Sequence, residues 1–137
     1  MTNVSLQYIE PLITSFFSVF DNRDDRIPDL SCLGSMFVPG AIITKRDGDQ
    51  LNVMSLDDFT APRQTLLTNG TLVDFHEWEI EAQTFVDNGI ATRICKYGKE
   101  GALNGEPFSG LGMKSIQLVL TDKGWKIASV LWEDINS

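Results

Sequence analysis

The chain contains a single histidine, His76, and two cysteines, Cys32 and Cys95, in 137 residues. The cysteines have no CxxC spacing and one imidazole cannot complete a zinc ligand set with them, which argues against a metal centre and a disulfide framework alike. Buried free thiols are the simpler expectation. Positive charge is also scarce: eleven Lys and Arg against nineteen Asp and Glu leave a net charge of -8 and a pI near 4.4. The basic residues are scattered rather than striped, so no nucleic-acid partner is expected. No uninterrupted apolar run is long enough to cross a bilayer, so no membrane partner is expected either. The apolar segment from Pro11 to Phe20 follows Glu10, and the first basic residue is Arg23. The basic start of a secretory signal is thus missing, and a cytoplasmic location is the expectation.

What is present is ordinary globular material, 42% hydrophobic and 22% charged, enough for one domain over residues 1–137. Leu6, Ile9, Leu12, Ile13, Phe16, Phe17 and Phe20 recur at three- and four-residue spacing, which predicts a helix over 4–22. Pro28 suits the first turn of a second short helix carrying Leu30, Leu33, Met36 and Phe37, ended by Pro39-Gly40. A short strand over 41–44 and a hairpin turn at Arg46-Asp47-Gly48-Asp49 follow. Ser55 with Asp58 reads as the cap of a third helix holding Phe59, Leu66 and Leu67 and ending at Asn69-Gly70.

From Leu72 the period becomes two, with strands predicted at 72–86, 89–97, 113–121 and 124–133. The segment from Gly98 to Gly112 has five glycines and one proline and reads as a flexible loop. Helices followed by antiparallel strands make an α+β domain with helices on one face of a sheet. In the first long strand His76, Trp78, Ile80, Ala82, Thr84 and Val86 form one row, and Phe75, Glu77, Glu79, Glu81 and Gln83 the other, more polar one. The last strand has apolar residues in both phases, Trp125, Ile127 and Leu131 against Ala128, Val130 and Trp132, which suggests cover on both faces.

This order of elements, with Phe75-His76-Glu77-Trp78-Glu79-Ile80, Gly89-Ile90-Ala91, Gly112-Met113-Lys114-Ser115-Ile116-Gln117-Leu118 and the segment from Gly124 to Trp132, resembles the nuclear transport factor 2-like superfamily. Within it the chain resembles the SnoaL-like and ketosteroid-isomerase-like branch, in members of no established function. The resemblance implies a cone-shaped, cystatin-like fold: a strongly curved antiparallel sheet around the first helix, a pocket between helices and concave face, and homodimers through the convex face. It implies binding of a small apolar organic molecule without a cofactor or metal, and isomerase, cyclase or dehydratase chemistry. The alternative is a non-catalytic dimerisation or interaction module, because the fold alone does not decide function.

Ketosteroid-isomerase relatives carry a carboxylate base at a position that corresponds here to about Lys45, so their mechanism is disfavoured unless Asp47 substitutes. A His-Asp dyad of the cyclase type can only be His76 with Asp74, beside Trp78; the competing reading makes His76 a strand residue. Tyr8, Arg93, Tyr97 and Gln117 are the other polar groups expected to reach a cavity lined by Phe16, Phe20, Trp78 and Trp132. Arg93 has an alternative role in a cross-strand pair with a glutamate. Relatives often have arginine where Leu111 stands, which argues against an anionic ligand drawn from them.

Overall fold

Helix α1 (Val4–Ser18) turns Ile9, Ile13, Phe16 and Phe17 toward the inside and Tyr8 to solvent in a computed structural model that describes residues 4–135. It ends four residues before the predicted helix does. Phe20 is buried just beyond its end, and Asn22 follows as a tie: its side-chain nitrogen donates to the carbonyls of Leu67 at 3.0 Å and Leu72 at 2.7 Å, and its oxygen accepts from Phe75 N at 2.7 Å. One buried amide thus joins three segments, a role that needs both an acceptor and two donors.

The predicted second helix is a single 3₁₀ segment (Leu30–Ser35) capped by Asp29, which accepts from Ser31 N. Cys32 on it is exposed, contrary to expectation, whereas Cys95 is buried. Strand β1 (Phe37–Asp47) runs through Pro39-Gly40, well beyond the short strand predicted. Pro39 is tolerated because the ladder with the neighbouring strand is interrupted between Phe37 and Ile42. The turn Gly48-Asp49, with Gly48 at a φ of 60°, joins β1 to β2 (Gln50–Ser55). Ser55 caps helix α2 (Leu56–Thr68) by accepting from Asp58 N, as its spacing predicts.

Strands β3 (Leu72–Asp87), β4 (Ile90–Leu103), β5 (Glu106–Thr121) and β6 (Gly124–Ile135) complete a six-stranded sheet of order β2-β1-β6-β5-β4-β3, antiparallel except for β1 beside β6. The glycine-rich stretch read as a loop is in fact the paired upper half of β4 and β5, closed by the turn at Asn104-Gly105. Its glycines make room. A side chain at Gly112 would begin 2.5 Å from the ring of Tyr97, and one at Gly98 2.5 Å from the indole of Trp78.

Beyond a bulge at Asp74, between Val73 and His76, two more change which residues face inward. Between Glu79 and Glu81, β3 advances two residues while β4 advances one, so Ile80 is extra and the phase reverses. The concave row is therefore Phe75, Glu77 and Glu79 before Ile80, and Ala82, Thr84 and Val86 after it. His76, Trp78 and Ile80 lie off that row, which corrects the single even-numbered face expected from alternation. A second bulge skips Ala128, so Trp125 and Ile127 are buried on one side of it and Val130 and Trp132 on the other. The two-phase pattern of β6 thus records a bulge, and Leu131 is exposed on the outer face of the single chain.

Candidate functional site

On the concave side, toward the β4–β5 turn, the sheet and helices enclose a cavity of about 400 Å³. Its walls are aromatic for a local reason. Phe16 and Phe20 lie four residues apart across the end of α1, Phe59 opens the apolar face of α2, and their rings meet edge to face, Phe20 with Phe59 at 5.9 Å and Phe59 with Trp132 at 5.7 Å. The Asn22 tie fixes the ends of α2 and β3 and so the rim residues Leu67, Leu72 and Phe75. A wider groove of about 740 Å³ elsewhere, between Gly34–Ala41 and the Thr121–Lys126 turn, has Phe37 as its one aromatic wall.

The floor carries charge. Lys45, Trp132 and Lys114 are register neighbours on β1, β6 and β5, so they form one inward row. Lys114 is only 7% exposed, with Nζ 3.4 Å from Glu77 Oε1 and 4.1 Å from the centre of the Tyr97 ring. Its burial is offset by one carboxylate and several ring faces. In the next row Tyr97, Gly112 and Asp134 are register neighbours, and the missing side chain at Gly112 lets the phenol cross β5 to donate to Asp134 Oδ1 at 3.1 Å.

Asp134 also accepts from Lys99 Nζ at 2.9 Å and lies 3.5 Å from Lys45 Nζ. Partial burial pushes its carboxyl up, but the Lys99 hydrogen bond, the two lysine charges and the Tyr97 hydroxyl together hold it below the ordinary carboxylate value. Burial, then the charges of Glu77 and Asp134, push the Tyr97 phenol well above its usual value, so it stays a proton donor. Arg63 lies over the Phe59 ring at 3.9 Å with Trp132 at 5.6 Å, and burial lowers its pKa.

Of the residues singled out in the sequence, Phe16, Phe20, Tyr97 and Trp132 line this cavity. The His76–Asp74 dyad is not assembled. His76 Nε2 pairs with Glu100 Oε1 at 2.9 Å and its ring stacks on Trp78 at 4.7 Å, beside a shallow depression near Arg23. Asp74 is exposed at a bulge with φ of 50° and makes no hydrogen bond to the imidazole. Tyr8 is exposed, and Gln117 accepts from Thr92 outside the cavity. Arg93 is buried in an ion cluster: Nε and Nη2 grip Glu79 at 2.8 and 2.6 Å while Nη1 reaches Glu10 at 2.6 Å and Thr84 at 2.8 Å. Its cross-strand alternative is the one observed. Cys95 is likewise out of play, its thiol pushed up to about 12 by burial and Glu79.

The groups missed in sequence are Glu77, Lys114, Lys99, Arg63 and Asp134, together with Lys45 as a pocket residue. A signal existed for Lys114, which shares its strand phase with the apolar Ile116 and Leu118. Another existed for Arg63, one helical turn from Phe59.

Strand order, bulges and an inward pocket against helices define the architecture. The chain has the nuclear transport factor 2-like, cystatin-like fold. A nuclear transport factor 2-like superfamily protein from Salmonella enterica matches with a TM-score of 0.79 at 14% identity, over 100% of this chain and 95% of that one. A protein from Streptomyces avermitilis, provisionally named a dehydratase of this family, matches with a TM-score of 0.75 at 11% identity, over 98% and 99%. A protein with a cystatin-like fold from Novosphingobium aromaticivorans matches with a TM-score of 0.72 at 15% identity, over 97% and 83%. No protein-family model and no curated protein matches the sequence. Among the described residues no helix is long and apolar enough to cross a membrane, and no group of three or more His, Cys, Asp or Glu could hold a metal ion.

Proposed function

We propose that this cavity binds a small organic molecule with a largely apolar body and catalyses a proton transfer on it, as an isomerase, cyclase or dehydratase of the SnoaL-like branch would. The observation that carries the reading is Glu77, the one carboxylate in the lining of an aromatic-walled cavity, set beside Lys114 and Tyr97. A carboxylate there accepts the proton from a carbon next to a carbonyl, and the electron pair moves onto the carbonyl oxygen. The ammonium of Lys114 stabilises the resulting enolate, and return of the proton to another carbon completes an isomerisation. The dehydratase name of the Streptomyces protein supports the same class of step.

Deuterium uptake at the α-carbon of 1-tetralone, followed by NMR, tests it. The protein should accelerate uptake and Glu77→Gln should lower the rate about 100-fold or more while the chain stays folded. Uptake at the uncatalysed rate with wild-type protein would sink the proposal.

The convex face favours a second reading, homodimerisation. Ile94, Ser115, Leu131, Thr44 and Val53 form one outward row across five strands, with Ile94, Leu131 and Val53 each at least half exposed. Light scattering should give a dimer mass for wild type and a monomer mass for Leu131→Lys. A monomeric wild type at high micromolar concentration would refute it.

A further inference from the structure

The chain as a whole carries a net charge of -8, but the cavity reverses the sign. Lys45, Arg63, Lys99 and Lys114 face it, with Glu77 as the only acidic lining residue among the described residues. Four of the eleven basic residues in the sequence are therefore gathered around one apolar space.

Their partners are unequally shared. Lys45 and Lys99 both address Asp134, and Lys114 has Glu77. Arg63 has no such carboxylate. Its one hydrogen bond runs from Nη1 to the carbonyl of Phe59 at 2.9 Å, and among the described residues no acidic oxygen lies within 4.0 Å of the guanidinium. A guanidinium has five donors in a rigid fork, and Arg63 is only partly buried, so the donors it does not give to Phe59 stay open to solvent and to a ligand. Phe59 and Trp132 hold the group at the cavity wall, so the unused donors belong to the same space that an apolar ligand body would fill.

We infer that the ligand is an amphipathic organic anion, a cyclic or aromatic carboxylate, whose acid group is taken by Arg63 and whose ring system lies among Phe16, Phe20, Phe59 and Trp132. A planar two-oxygen acid matches one arginine fork. The three lysines share two carboxylates, Asp134 and Glu77, which leaves Arg63 as the cation whose fork has no acidic partner among the described residues. Leu111, where relatives often have arginine, does not decide the matter, because the positive charge here comes from α2 and the floor rows. This inference rests on the cavity being a ligand site, as proposed above.

The test compares 2-naphthoate with 2-naphthamide, which has the same ring system and no charge, by titration calorimetry on the full chain. The naphthoate should bind at least about tenfold more tightly, since a charge-assisted pair replaces a neutral one. Arg63→Gln should erase that preference while leaving naphthamide binding in place. If Arg63→Gln fails to fold, Arg63→Met keeps the apolar stem over Phe59 and should show the same loss. Equal binding of the two probes to wild type would overturn the anion inference and leave the pocket reading intact. Binding of neither would remove both, and a preference that survives in the arginine variants would overturn the assignment to Arg63.

Discussion

Gly112→Ala is expected to destabilise the protein by about 2–3 kcal/mol, whereas Gly98→Ala, with the same initial clash, should cost about 1 kcal/mol or less. At both sites the added carbon would start 2.5 Å from an aromatic ring. What differs is the freedom of the ring. Tyr97 is 1% exposed, packed near Phe17 at 6.1 Å, covered by the Lys114 ammonium and tethered to Asp134 through its hydroxyl. It cannot yield without opening a gap in the cavity floor and breaking that hydrogen bond. Trp78 is 38% exposed on the edge strand and can swing outward, giving up little beyond its stack on His76. Urea denaturation of the two variants measures the contrast, and equal losses would mean that Tyr97 is not held as described.

Arg93→Met should cost more still, about 3–5 kcal/mol, because it strands Glu79 on the concave face without its bidentate partner. The hydrogen bonds that Arg93 donates to Glu79 dominate the upward shift of its pKa, with burial opposing them and Glu10 adding to them. Glu10 is 54% exposed at its side chain and can turn to water, so Glu10→Gln should change stability by less than about 1 kcal/mol. Combining Arg93→Met with Glu79→Met should recover most of the loss, since neither charge is then left unpaired. Thermal or denaturant melts decide it: a double variant as unstable as the single one would show that the arginine serves packing and not charge compensation.

Much of the architecture was legible in the chain. The phenylalanines of α1, the Ser55 cap, the turn at Gly48-Asp49 and the four long strands follow from local chemistry, and local chemistry determined them. The site was less legible, for physical reasons. Alternation names a face only while the ladder advances residue for residue, and Ile80 and Ala128 each break that count. Neither residue type signals a bulge. The glycines of 98–112 looked like flexibility because their function, yielding space to Trp78 and Tyr97, lies on the neighbouring strands. His76 attracted notice by being the only imidazole, but rarity carries no information about which way a side chain points. The cations around the cavity come from β1, α2, β4 and β5, and no spacing rule links residues so far apart.

The extra residue at Ile80 has a consequence for how such a protein can change over generations. On one side of it β3 supplies Phe75 and Glu77 to the cavity; on the other, Ala82, Thr84 and Val86 lie along the concave row that faces Arg93 and Ala91. Chemical preference and the means of staying folded are thus written on separate halves of a single strand. Before Ile80 it is Glu77 that can change with the ligand, since Glu79 is bound to Arg93 and is screened by folding as the later half is. Loss of that one residue would leave both rows facing as they do and only straighten the strand between them.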